Sequence, residues 1–180
     1  KLMFVDHAEA IVGFPGGFGT MDEVFESLVL IQTGKSPIVP VVLVEGQDGD
    51  FWQRWEDFTK GALLKEGWIS PEDPGLYRIV SSPEEAVEEI TSFYRVYQSA
   101  RYVHDKLVLR LTRALTEEEL AILNDEFAIL IESGQIENSG ALPEEEEEVT
   151  HLPRLVFHHT KHKFGLVRQL IDRINGFDAP

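Results

Sequence analysis

The chain has 180 residues, 43% of them hydrophobic and 27% charged, an ordinary balance for one globular domain with at most a small appendage. It has no cysteine, which excludes disulfides and cysteine-based zinc sites and fits a cytoplasmic location, and no apolar run is long enough to span a bilayer, so no membrane partner is expected. A formal net charge of −16 argues against a nucleic-acid polymer as partner, whereas a free nucleotide needs only a few local donors.

Lys1 stands where a methionine would open a reading frame, and an apolar strand follows almost at once. The expectation is a domain that lacks its N-terminal part. Residues 9–14 (EAIVGF) read as a buried parallel strand. Pro15, Gly16, Gly17 and Gly19 break it with a turn. Thr20 then opens a helix, with Met21, Val24, Phe25, Leu28, Val29 and Gln32 at helical spacing and Gly34 at its end. Residues 38–44 (IVPVVLV) form the next strand, where Pro40 favours the beginning or an edge. Residues 51–64 read as one helix with Trp52, Trp55 and Phe58 available for the core, and residues 76–80 as a third strand. Ser82 and Pro83 supply the N-cap and first position of the following helix. Strands alternating with helices predict a parallel α/β sheet.

Beyond residue 97 the pattern changes. Residues 106–112 alternate as a strand, 117–133 read as a long helix opened by a Thr116/Glu119 capping box, 135–140 and 151–158 as strands, and 164–174 as a final helix. The predicted fold is α/β: a Rossmann-like parallel sheet over residues 1–100, incomplete at its N-terminus, and a second, small α/β unit over 101–180. The glutamate run at 144–148 reads as a solvated loop.

The stretch from Pro15 to Glu23 (PGGFGTMDE) carries the chemistry. A strand feeding a glycine turn and then a helix N-terminus gathers backbone N–H groups and the positive end of the helix dipole, which together suit an anion. Two bland alternatives stand beside this: a tight turn, and a T-x-x-E capping box formed by Thr20 and Glu23. The pattern is neither a Walker loop nor a complete G-x-G-x-x-G.

This nine-residue stretch resembles the PGGxGTxxE motif of the LONELY GUY (LOG) family, often labelled lysine decarboxylases, and the resemblance extends over about residues 1–97. It implies a Rossmann-like, usually dimeric enzyme. Such enzymes hydrolyse the N-glycosidic bond of AMP or cytokinin riboside 5′-monophosphates, giving free base and ribose 5-phosphate. By position, Gly16, Gly17, Gly19 and Thr20 would bind the 5′-phosphate and Glu23 would be the catalytic carboxylate, with no cofactor and no metal. Lys1 matches the lysine of the family's Arg-Lys pair, so the arginine would precede the chain. The partners implied are the nucleotide substrate and a second copy of the chain, in a homodimer or larger homo-oligomer. The alternative reading is a Rossmann module that holds a nucleotide or cofactor without cleaving it. Lysine decarboxylation usually needs pyridoxal phosphate on a Schiff-base lysine. Lys1, Lys35, Lys60 and Lys65 lie in no such context, and the last three read as solvated.

His158 and His162, at i, i+4 spacing beside His159 and His151, are candidate metal ligands, but a basic surface shared with Lys161 and Lys163 is the favoured reading. Asp22 beside Glu23 is accounted for by the helix dipole alone.

Overall fold

The short apolar segments form buried strands because helices cover them, and their order along the chain sets a parallel sheet. The computed structural model describes residues 8–46, 48–143, 145 and 150–178. The chain divides into two units, residues 1–92 with 163–168, and residues 93–162 with 169–180.

In the first unit, β1 (Ile11–Gly13), β2 (Val41–Val44) and β3 (Tyr77–Val80) lie in that order and all parallel, with Ile11 opposite Val41 and Val41 opposite Tyr77. Four consecutive buried residues make β2 the apolar centre of the three. Pro40 immediately precedes β2, where its missing N–H costs no ladder bond, and its carbonyl accepts from Ile11 N–H (2.9 Å). Helices α1 (Phe18–Gln32), α2 (Phe51–Phe58) and α3 (Pro83–Phe93) follow the three strands in turn. This is Rossmann-like α/β architecture.

Helix α1 buries Val24, Ser27, Leu30 and Ile31, and Gly34 ends it at φ +66, with its N–H bonded to Ile31 O. The single helix expected over residues 51–64 is in fact α2 followed by a π-helical turn, Thr59–Leu64, whose signature is the Lys65 N–H reaching Lys60 O at 3.2 Å. Trp52 and Trp55 are buried as expected, edge to face with centroids 5.9 Å apart, but Phe58 is more than half exposed.

The second unit is antiparallel. Its strands β4 (Tyr97–Val103), β5 (Lys106–Leu111), β6 (Ile131–Ser139) and β7 (Arg154–His159) lie in the order β4-β5-β7-β6, with helix α4 (Glu117–Glu126) between β5 and β6; helix α5 (Phe164–Gly176) follows β7 and belongs to this unit from Gln169 onward. Two elements differ from the sequence reading. Strand β4 carries no strand signal in the sequence, because its middle (QSAR) is largely polar, with Gln98 exposed and Ser99 to Arg101 half-buried. The helix expected over 117–133 stops at Glu126, because Ile131 and Ser133 pair with His159 and His158 of β7 and Asn124 fastens both the N–H and the C=O of Ile136 (2.8 Å each). Tertiary strand pairing overrides local helix preference there. The Thr116/Glu119 capping box is present. Asn175 clamps the entry to this unit, accepting from Val96 and Tyr97 N–H and donating to Phe93 O.

The glutamate run is not simply a solvated loop. Glu145 is buried and bridges Arg110 (2.7 Å) and Arg154 (3.0 Å), while Glu144 and residues 146–148 fall outside the described residues. Among the described residues, no helix is long and apolar enough to cross a membrane.

Candidate phosphate-loop site

Residues 15–19, the turn after β1 and the first two positions of α1, are all exposed. Helix α1 begins at Phe18 with Gly17 as its N-cap, two residues before the predicted start at Thr20. Thr20 is therefore in the first turn and is not the cap, so the T-x-x-E capping box read from the sequence does not form at this helix. Gly17 supplies no side-chain cap. The contrast with other helices is informative. The Glu45 carboxylate caps α2, accepting from the N–H groups of Trp52 (2.8 Å) and Gln53 (2.9 Å). Ser82 Oγ accepts from Glu85 N–H at α3, and Thr116 and Glu119 close α4. At α1 the N-cap is a glycine in an exposed turn, so the cap residue itself brings no side chain to the positive end of the helix dipole.

The loop is shaped for close approach. A Cβ at position 16 would collide with Thr20 Oγ1, so the threonine hydroxyl lies directly against Gly16. At positions 17 and 19 an added Cβ would meet nothing within 4 Å among the described residues, so these glycines leave open space beside the backbone. Glu23 lies six residues beyond Gly17, about 9 Å along the helix axis, and is half-buried. Thr20 and Glu23, three apart, share a face, and helical side chains lean toward the N-terminus, which directs Glu23 back along the helix toward the loop. Asp22 is exposed in the same turn.

The loop forms one wall of an open groove of about 530 Å³. Gly16, Gly17, Phe18 and Met21 line one side, and Asp50, Phe51, Arg54 and Trp55 of α2 and its N-cap line the other. Phe18 is 96% exposed, an unusual cost for a large apolar side chain that serves no core. The sequence reading assigned the α2 segment to core packing and missed this second wall. An Asp-x-x-x-Arg pair looks like any solvated helix surface, and only the fold brings it to the loop.

The first 90 residues match the family model described as possible lysine decarboxylase. The chain belongs to that family, the LOG-type proteins. No curated protein matches it. Lys35, Lys60 and Lys65 lie in no buried pocket that would suit a Schiff base: all three are exposed, and Lys60 is paired with Glu56 at 3.0 Å.

Two of the candidate metal-ligand histidines have other partners. His158 Nδ1 lies 3.1 Å from Asp105 Oδ2, and His159 Nδ1 lies 2.5 Å from the Tyr102 hydroxyl. Burial lowers the His159 pKa to about 4, which keeps the ring neutral. Among the described residues, no group of three or more His, Asp or Glu side chains is arranged to hold a metal ion.

Proposed function

We propose that this protein is a phosphoribohydrolase, which cleaves the N-glycosidic bond of a nucleoside 5′-monophosphate, AMP or a cytokinin riboside monophosphate, to free base and ribose 5-phosphate. The observation that carries this reading is the exposed, glycine-opened N-terminus of α1, with Gly17 at the cap position and Thr20 and Glu23 on one face behind it. Gly16, Gly17, Gly19 and Thr20 take the 5′-phosphate through backbone N–H groups and a hydroxyl. The ribose then extends along α1 toward Glu23. As the glycosidic bond breaks, its electron pair leaves with the base and positive charge develops on the sugar. The Glu23 carboxylate stabilises that charge and orients the water that attacks C1′. Family membership supports the same reading. No cofactor enters this scheme, and a second copy of the chain is the proposed assembly partner.

The test is to incubate the full-length protein with AMP and to separate the products. Free adenine and ribose 5-phosphate should appear with the parent, and Glu23→Gln should abolish both while AMP still binds. Tight AMP binding without any base released by the parent would identify a non-hydrolytic binding module. Undiminished turnover in Glu23→Gln would sink the catalytic assignment.

A further inference from the structure

We propose that Arg54, on the wall of the groove facing the glycine loop, is a second phosphate-binding group for the nucleotide and that Asp50 holds it in reserve when the site is empty. This rests on the nucleotide reading of the loop. Arg54 is the one cation that lines the groove among the described residues, and the groove's far wall is Gly16 and Gly17. Its position is fixed from below. The Glu45 carboxylate, at the end of β2, ties down the first N–H groups of α2, so the turn that carries Arg54 is anchored to the same sheet that carries the loop.

Arg54 donates from Nε to Asp50 Oδ2 at 2.8 Å, with a second contact from Nη2 at 2.7 Å. The two side chains are 77% and 62% exposed. An exposed i, i+4 pair of this kind is weak, so it yields readily to a stronger partner. A phosphate monoester is that partner. It carries up to two negative charges and matches the guanidinium fork bidentately, where Asp50 offers one charge. In a protein of net charge −16, a cation needs such a placeholder if it is not to be drawn to another carboxylate. Asp50 is the N-cap residue of α2, but its side chain makes no capping bond, so its carboxylate is committed to Arg54 rather than to the helix.

The experiment measures AMP and inorganic phosphate binding by calorimetry in the full-length protein, using Arg54→Gln and Asp50→Asn, with circular dichroism to verify folding. Binding is also measured in the Glu23→Gln background, where turnover cannot intrude, and adenosine serves as the ligand without phosphate. Arg54→Gln should weaken AMP and phosphate by about tenfold or more, with the kinetic loss falling on KM more than on kcat. Asp50→Asn, which keeps a good N-cap residue, should tighten both. Adenosine binding should not change with either variant. Equal AMP affinity in Arg54→Gln and parent overturns the proposal, and so does a parent that binds neither AMP nor phosphate. The hydrolase reading fails separately. If the parent releases no base yet binds phosphate, and Arg54→Gln loses that binding, the arginine keeps its role and only the reaction is wrong.

Discussion

Glu145→Gln is the substitution that most sharply separates a built-in element of the second unit from a solvated acidic loop. One carboxylate oxygen of Glu145 accepts from Arg110 Nε (3.1 Å) and Nη2 (2.7 Å), and the other accepts from Arg154 Nε and Leu142 N–H (both 3.0 Å). The Arg154 side chain is fully buried, as is that of Glu145. Glutamine keeps the shape but replaces one acceptor with an NH2 group, which then points a donor at donors. Removing one partner from a buried ion pair costs about 3–5 kcal/mol. The electrostatics of the carboxyl point the same way. Burial works to raise the Glu145 pKa, but hydrogen bonds from Arg154, Leu142 and Arg110 outweigh it and hold it at about 2. Against an ordinary glutamate that shift corresponds to about 3 kcal/mol, in line with the first figure. Because the folded pKa is depressed, this stabilisation is fully present above about pH 4.5 and is lost as the pH falls toward 2. Urea unfolding followed by far-UV circular dichroism, with hydrogen exchange resolving β5 and β7, should show the variant weaker by about 3 kcal/mol at pH 7 and the gap closing in acid. A difference below about 0.5 kcal/mol at pH 7, the range of an ordinary surface change, would refute the clamp.

Two further substitutions test the first unit. Gly16→Ala should lower AMP affinity about tenfold or more, because the added methyl displaces Thr20 Oγ1, while the melting temperature changes little since residues 15–19 are exposed; calorimetry beside a thermal melt checks both halves, and unchanged affinity would count against the loop as the phosphate site. Gly34→Ala should destabilise by about 2–4 kcal/mol, since φ is +66 and the new Cβ would strike the Phe164 ring. Urea unfolding followed by the fluorescence of Trp52, Trp55 and Trp68 measures it, and a loss under about 1 kcal/mol would mean that the helix end relaxes freely.

What the sequence made legible follows from how local each cause is. The parallel α/β order was readable because buried strands such as VVLV are continuous apolar runs and the helices between them carry glycine and proline punctuation. The turn before α1 is legible because backbone geometry leaves its mark as glycine spacing. Non-local causes hid the rest. Nothing within residues 127–133 says that Ile131 and Ser133 will pair with β7 some 25 residues later, so the α4 helix was drawn too long. Glu145 could not be told from its neighbours in the acidic run, because Arg110 lies 35 residues away and Arg154 is identified only by the sheet. Arg54 and Phe51 were hidden for the same reason, being brought to the loop by the β1–β2 pairing rather than by any motif.

The charge balance explains why the site would be built from backbone. Acidic residues number 32 against 16 lysines and arginines, so a basic side chain here readily finds a carboxylate. The pairs show it: Arg113 is held by Glu119 and Asp178, Arg173 by Glu126, Arg168 by Glu89 and Lys163 by Glu72. An anion site assembled from lysines and arginines alone would compete with those internal acids for every contact. The N–H groups at the start of α1 escape that competition, because they do not titrate and cannot swing away. The other helices described above show the usual fate of such donors, which is to be covered by a nearby carboxylate or hydroxyl, as Glu45 covers α2. At α1 the cap position is a glycine and the collision at position 16 keeps a side chain from filling the turn. On the proposed reading, a loop open to a small, doubly charged ligand would also let a single arginine, paired with Asp50 across the groove, add to the loop's grip without having to supply all of it.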